Sequence, residues 1–500
     1  MTGPLRRLIE AVTPDEDITS RTVLGGVWMG LSQFSNRALQ MVMLVVLARL
    51  LTPADFGLYG IALLSLSALQ NLSKLGVETA LVQRPEDDVD PYLDTVFSIE
   101  LLRGAVIATV AFLAAPLVGA FFGEPRATPL LRVLAFATLF KRFQNPGTVY
   151  FKKDLEFHKQ YVYSASGTAT RVAVSIGYAL VSPTVWALAA GLVVGNLAQS
   201  LASYLIHDYR PRPRLDPGRA REVIGYGKWL LGSSVVTFLY GEGDDAFVGW
   251  FLSAGALGVY QLAYRFSNAP ATEVAHTVTS VVMPSFSKVQ DDPAAVREGF
   301  RRVMRVSTFV SVPVGVGIGV VAPVFVPVAF GPGWEGLVVP MQVLAAFGVL
   351  RSLRSPTSPL FKALGRPDLV MKIHVLRLAA LVALIYPLTS AYGVPGTAGA
   401  VLLTSAVGLP VAHVLATRMI GERLRTPAVI VAYPVLGSAA MAACAFAVRR
   451  VVAVELGALA ALVAAVATGV VVYAAVMFAL DRRFDTGFEE LFGQVKRGLA

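Results

Sequence analysis

The chain of 500 residues carries 55% hydrophobic and only 15% charged side chains, with a mean hydropathy of +0.62. A soluble domain carries roughly 25% charge, so this composition excludes a large soluble catalytic domain and describes an integral membrane protein. The net charge of +10 argues less for a nucleic-acid partner than for positive cytoplasmic loops, and the single cysteine, Cys444, excludes an intramolecular disulfide or a cysteine metal cluster.

Residues 1–21 are polar, hold Arg6, Arg7, Glu10, Asp15, Glu16 and Asp17, and show neither a long apolar core nor a small-residue cleavage site, so a cleaved leader is not expected. From Val23 onward, apolar runs long enough to cross a bilayer as helices recur, broken by Pro, Gly or charge clusters. They predict spans over 23–48, 57–82, 95–122, 128–150, 160–181, 184–206, 223–252, 255–287, 306–330, 336–361, 373–391, 395–417, 427–448 and 456–480. Fourteen spans is an even number, which puts both termini on one side. Of the Lys and Arg residues outside these spans, one side holds only Arg49, Arg126, Arg449 and Arg450, so the positive-inside rule assigns both termini to the cytoplasmic face of the cell membrane. The densest cluster, Arg210, Arg212, Arg214, Arg219 and Arg221, alternates with Pro211, Pro213 and Pro217. It reads as a stiffened inner-face linker and a topology signal touching lipid headgroups, in preference to a partner site. Outer loops as short as Ser182–Pro183 and Ser253–Ala254 leave no room for a loop-built active site. Cys444 lies in an apolar run and is expected as a small buried hydrophobe.

An internal repeat is visible. LARLLTPADFGLYG (47–60) aligns without gaps to GWFLSAGALGVYQ (249–261) at an offset of 201, with Leu51 on Leu252, Gly57 on Gly258 and Tyr59 on Tyr260. Trp28 and Trp229 obey the same offset, and an offset of 210 relates Val133, Leu134 and Ala135 to Val343, Leu344 and Ala345. It also relates Lys141, Pro146, Phe151 and Lys152 to Arg351, Pro356, Phe361 and Lys362. The expected fold is therefore an all-α polytopic membrane protein of about fourteen helices: two six-helix lobes related by a pseudo-twofold axis along the membrane normal, plus two C-terminal helices. The chain divides into a tail 1–22, an N-lobe 23–206, a basic linker 207–222, a C-lobe 223–417, added spans within 418–480 and a tail 481–500. Rocking one lobe against the other would give alternating access.

Inside the spans lie twelve Lys and Arg residues but only six acids, Glu78, Glu100, Glu242, Asp244, Asp245 and Glu273. Ionisable groups at bilayer depth cost several kcal/mol unless paired or hydrated, so the excess predicts a wet cationic cavity. Arg predominates, and its planar fork suits phosphate or carboxylate. Arg37, mid-span with no acid within a turn, and Arg265 are the leading contacts for a charged substrate group, followed by Arg351, Arg354 and the repeat-related Lys141. Lys74 is a further candidate, although Lys74 with Glu78 and Glu100 with Arg103 can neutralise themselves at helical spacing. Glu242, Asp244 and Asp245 form an acidic knot in GEGDDAF, where two glycines are expected to loosen the helix. These acids, with Glu78, are candidates for coupling to a H⁺ or Na⁺ gradient, unless they pair with the arginines. No metal spacing of histidines, no P-loop and hence no cofactor is found, and the glycines of GVGIG (315–319) read as helix packing.

LARLLTPADFGLYGIALLSL with LGVETALVQR (75–84), FFGEPRATPLLRVLAF (121–136), GVYQLAYRFSNAP (258–270), MPSFSKVQDD (283–292) and FKALGRPDLV (361–370) resemble the Wzx-type polysaccharide-transporter family of lipid-linked oligosaccharide flippases. That family belongs to the multidrug, oligosaccharidyl-lipid and polysaccharide exporter superfamily, and the likeness covers roughly residues 20 to 420. It implies a V-shaped, fourteen-helix protein, not an enzyme, that moves a polyprenyl-phosphate- or diphosphate-linked saccharide to the outer leaflet. The implied partners are that substrate, membrane lipids and glycosyltransferase or export machinery. It also implies lumen cations on the first, second, seventh and eighth helices, where Arg37, Lys74 and Arg265 stand. A related small-molecule antiporter would show a net acidic cavity, and a membrane polymerase or ligase would need a sizeable aqueous loop.

Overall fold

The computed structural model describes residues 18–73, 89–218, 238–268, 286, 292–484 and 488, and all its regular elements are helical. The chain divides into two units, Met1–Phe238 with Gly249–Gly258, and Leu239–Val248 with Val259–Ala500.

The first unit contains α1 (Ile18–Leu50), α2 (Pro53–Leu72), α3 (Asp90–Phe121), α4 (Ala127–Arg142), α5 (Phe157–Val181) and α6 (Trp186–Ile206). α2 begins four residues before the expected span because Thr52 and Asp55 form a capping box. The Thr52 hydroxyl accepts the Asp55 N–H, and the Asp55 carboxylate accepts the Thr52 N–H at 3.1 Å, with Pro53 preset for the first turn. α4 stops at Arg142, well short of 150. Pro146 lacks an N–H and disfavours helix at the residue before it, so Asn145 turns the chain, accepting the Gly147 N–H at 2.9 Å and donating to Tyr209 O at 2.6 Å. A 3-10 turn (Pro146–Val149) and a short helix (Tyr150–Lys153) follow.

α1 packs on α5 through Trp28 and Tyr161, whose rings are 5.6 Å apart, and through a polar seam in which Asn36 donates to Ser164 Oγ at 3.2 Å. α5 approaches α6 through small residues: a Cβ on Gly191 would lie 1.9 Å from Ser175 Oγ, and one on Gly195 would lie 2.8 Å from Arg171 Cβ. The described part of the basic linker, residues 207–218, is anchored to α3: Asp94 accepts the Tyr209 hydroxyl and the Arg212 N–H at 2.8 Å each. Burial, reinforced by Lys159, holds the His207 imidazole below its ordinary pKa, and the ring stacks on Tyr150 at 5.8 Å. The guanidiniums of Arg210, Arg212 and Arg214 stay exposed, while Arg219 and Arg221 lie outside the described residues.

The second unit contains α7 (238–251), α8 (254–268), α9 (Pro293–Phe330), α10 (Val338–Arg354), α11 (Pro367–Tyr392), α12 (Val394–Ile420), α13 (Arg425–Glu455) and α14 (Ala458–Phe484), the turn into α8 and its first residues counting with the first unit. α7 stays helical through Gly241 and Gly243, so the expected loosening there is not observed. α9 starts at Pro293, not 306, because Asp292 accepts the N–H groups of Ala294 and Ala295 at 2.8 and 3.1 Å. α10 ends at Arg354, and a short helix, Thr357–Ala363, follows Pro356, so 336–361 is also a helix plus an elbow. α13 continues to Glu455, which places Arg449 and Arg450 inside a helix instead of a loop, both over the Phe446 ring at 4.9 and 4.6 Å. Cys444, expected to be buried, is exposed on α13. Gly315 packs as expected, since a Cβ there would lie 2.3 Å from Val349.

The repeat has two structural counterparts. In α4, Leu130, Leu131, Leu134, Ala135, Ala137 and Thr138 are buried, and in α10 the buried Pro340, Met341, Leu344, Ala345, Phe347 and Gly348 stand 210 positions later. Phe151 and Phe361, at the same offset in the elbows, are both fully buried. At the other offset, a Cβ on Gly57 would sit 1.6 Å from Ala254 O and one on Gly258 would sit 2.1 Å from Pro53 O. Ala254 is the offset partner of Pro53, so the two glycines contact equivalent atoms where the start of α8 crosses α2.

Eight of the helical segments, α3, α6, α9, α10 with its elbow, and α11 to α14, are each long and apolar enough to cross a membrane by themselves, which makes this a multi-pass membrane protein. α1, which carries Ser32, Ser35, Asn36 and Arg37 mid-helix, falls outside that set, as do α2, α4, α5 and the described parts of α7 and α8.

Gly57→Ala and Gly258→Ala each force backbones apart and are expected to destabilise the protein by about 3 kcal/mol, read as a lowered thermal midpoint in detergent. Gly241→Ala meets nothing within 4 Å and leaves the midpoint unchanged or raised. Equal midpoints for all three would contradict the crossing.

Candidate functional site

Five helices of the second unit bring polar side chains together in an otherwise apolar interior. Arg377 on α11 is 1% exposed, and its stem occupies space left by Gly408 on α12, where a Cβ would lie 2.7 Å from Arg377 Cδ. Its Nη2 donates to Ser405 Oγ at 2.5 Å, and its guanidinium lies 4.5 Å from the centre of the Tyr240 ring on α7. Among the described residues, Nε and Nη1 of Arg377 have no hydrogen-bond partner. One turn earlier, His374 stacks on the same Tyr240 ring at 5.1 Å.

On α10, Arg351 and Arg354 share a helix face at i,i+3. Arg351 donates to the Tyr264 hydroxyl at 3.1 Å, while the buried Arg354 Nε has no partner among the described residues. Arg351, Arg354 and Arg377 act on one another as like charges, and Arg354 and Arg377 also act on His374. Among the described residues no carboxylate lies within 4.0 Å of Arg351, Arg354 or Arg377. A buried cation without a counter-ion is costly, and a phosphoryl or carboxylate anion would supply the missing charge and take the open N–H donors.

The acidic knot is distributed along α7. Asp244 is buried and accepts the Tyr260 hydroxyl at 2.5 Å. Asp245 bonds to Gln261, and Arg265 acts electrostatically on both Asp245 and Glu242. Arg265 itself is exposed on α8.

In the first unit Arg103 and Arg142 share one acid, whereas Arg171 meets a hydroxyl and, among the described residues, its buried Nε has no partner. Glu100 bridges Arg103 at 3.3 Å and Arg142 at 2.6 Å, and Arg103 also donates to Gln70 O at 2.9 Å, tying α2, α3 and α4 together. The spacing of Glu100 and Arg103 pointed to one of these bonds; Arg142, 42 residues away, could not be paired from the sequence. Arg171 donates to the Tyr59 hydroxyl at 2.9 Å. Arg37 is half-buried on α1 and Lys141 is exposed at the end of α4. Lys74 and Glu78 lie outside the described residues.

Of the sequence candidates, then, the structure gathers Arg351 and Arg354 with Arg377 and leaves Arg37 and Lys141 in the other unit. Tyr240, His374 and Arg377 were not singled out. Two of them carried a signal: His374 and Arg377 stand at i,i+3 in an apolar helix with no acid within one turn of either.

Glu100→Gln leaves two enclosed arginines without their acid and is expected to lower stability by about 3 kcal/mol, measured by thermal unfolding in detergent. An unchanged midpoint would show that the bridge is not structural.

The family model described as "Polysaccharide biosynthesis protein" matches residues 46–339. The chain is 27% identical over 366 residues to the lipopolysaccharide biosynthesis protein WzxC of Escherichia coli (strain K12), covering 72% of this chain and 73% of that protein. Its fold is similar to that of the lipid II flippase MurJ in an inward closed conformation, with a TM-score of 0.73, 14% identity and coverage of 91% and 99% of the two chains. It is also similar to an inward-facing multidrug resistance MATE family transporter of the MOP superfamily, at a TM-score of 0.62, 15% identity and coverage of 77% and 94%. With more than half its length matched, the chain belongs to the polysaccharide biosynthesis protein family.

Proposed function

We propose that the protein is a flippase that carries a polyprenyl-phosphate- or diphosphate-linked saccharide from the inner to the outer leaflet of the cell membrane for surface polysaccharide synthesis. The observation that carries this reading is the group Arg351, Arg354 and Arg377, which lacks a carboxylate among the described residues. Arginine binds phosphoryl oxygens bidentately, and a desolvated site strengthens that attraction. A diphosphate would neutralise part of the cluster, whereas a cationic drug would be repelled by it. The charge therefore favours the flippase over the antiporter, although both share the fold.

In this reading the chain has fourteen spans, two six-helix repeats and the added α13 and α14, with both termini cytoplasmic. The equal burial pattern of α4 and α10 and the paired glycines Gly57 and Gly258 support the repeat. The repeats alternate access to the two leaflets, with Arg37 and Lys74 as further contacts for the anion. Asp244, Asp245, Glu242 and Glu78 are proposed to couple transport to a H⁺ or Na⁺ gradient. A glycosyltransferase that builds the saccharide is the proposed supplier of substrate, and the reading needs no cofactor.

The test is leaflet exchange of a fluorescent lipid-diphosphate saccharide in proteoliposomes. Exchange above protein-free vesicles is expected, and Arg351→Gln with Arg354→Gln should slow it roughly a hundredfold, as the loss of two charged hydrogen bonds predicts, at an unchanged thermal midpoint. Absence of exchange by the unaltered protein would refute the function.

A further inference from the structure

Away from those residues, four arginines of the second unit converge on a cavity of about 400 Å³. Arg301 and Arg305 come from α9, and Arg423 and Arg425 from the turn into α13, while Tyr433 and Phe484, with rings 5.7 Å apart, form part of an apolar wall. The turn is held by one acid. Glu422 accepts from Arg301 Nε at 2.7 Å, from the Thr426 hydroxyl at 2.9 Å and from the Arg423 N–H at 2.9 Å. Burial pushes its carboxyl up, but those three donors together hold it below the usual glutamate range. It therefore stays charged and engaged near neutral pH, and the order it imposes on the turn is lost only as pH falls below that range.

The second acid, Glu298, lies 3.6 Å from Arg301 and 4.0 Å from Arg305. Arg423 and Arg425 are exposed and have no carboxylate within 4.0 Å among the described residues. Both carboxylates are thus taken up by Arg301 and Arg305, which leaves Arg423 and Arg425 in excess, and the N-terminus of the 31-residue α13 adds its positive end. Beside this charge the wall is apolar and open, with Phe484 51% and Val429 39% exposed. A free phosphate would satisfy only the charged half. A molecule with a phosphoryl group joined to a hydrocarbon chain satisfies both.

We propose that this cavity is a binding site for the phosphate headgroup of an anionic membrane phospholipid, with Arg423 and Arg425 on the phosphoryl oxygens and the start of the acyl chains against Tyr433 and Phe484. The site does not depend on the flippase reading, because it uses none of the residues assigned to the transported saccharide. It would seat a resident lipid between α9, α13 and α14 on the face where the basic loops lie.

The experiment uses the full chain purified in a zwitterionic detergent and follows lipid binding by native mass spectrometry and by the thermal midpoint. Phosphatidylglycerol is expected to bind and raise the midpoint, and phosphatidylcholine and inorganic pyrophosphate at equal concentration are not. Arg423→Gln with Arg425→Gln should weaken phosphatidylglycerol binding roughly thirtyfold, the effect of two interfacial arginines, without changing the lipid-free midpoint. Arg212→Gln with Arg214→Gln, on the exposed linker, should leave binding as it was. Four results would overturn the proposal: undiminished binding by the Arg423 and Arg425 variant, an equal loss in the linker variant, phosphatidylcholine bound as tightly, or a pyrophosphate effect as large as that of the lipid. The last would assign the cavity to a soluble anion.

Discussion

A guanidinium enclosed by apolar helices must be neutralised, hydrated or held in place by donated contacts, and the two units meet that constraint differently. In the first unit Glu100 sits between Arg103 and Arg142, and the three form a brace across α2, α3 and α4. In the second unit Arg377 has a ring, one hydroxyl and a glycine-made space in place of an acid. A cation over an aromatic face gains about 0.5–2 kcal/mol, well below the several kcal/mol that desolvating an ion costs. The helix packing around α10, α11 and α12 therefore carries the difference, which makes sense if the charge is kept for an incoming anion.

The same packing explains how stretches at the two offsets can share a burial pattern with so few identities. Gly57 and Gly258 are needed because two helix starts cross at backbone contact, and any side chain would part them. Pro146 and Pro356 each end a helix so that a buried Phe in the elbow can fill the core. Positions between these anchors need only stay apolar and of similar volume, so they drift. The added helices α13 and α14 obey neither offset and bring their own basic cavity.

Class and helicity were legible because they rest on composition and on run length, and the matched glycines and prolines because their backbone roles leave little choice. Ends were less legible: the caps at Thr52 and Asp292 extend α2 and α9 beyond their apolar runs, and the prolines cut α4 and α10 short. The site was half legible. Arg351 and Arg354 stood out as cations inside an apolar span, but charge spacing along one helix says nothing of partners on another. Arg142 and Glu100, 42 residues apart, could therefore be paired only in the fold. Tyr240 carried no sequence signal, since an aromatic residue in an apolar run is ordinary core. Its role emerges only when α11 is placed against it.

The central claim is that the cations without carboxylates in the second unit are there for a phosphoryl anion. The most direct measurement is the affinity of the detergent-purified protein for a polyprenyl diphosphate against the polyprenyl alcohol of the same length, with and without Arg351→Gln, Arg354→Gln and Arg377→Gln together. Much tighter binding of the diphosphate, lost in the triple variant, is the predicted result. Equal affinity for the two lipids, or a preference that survives the three substitutions, would contradict it.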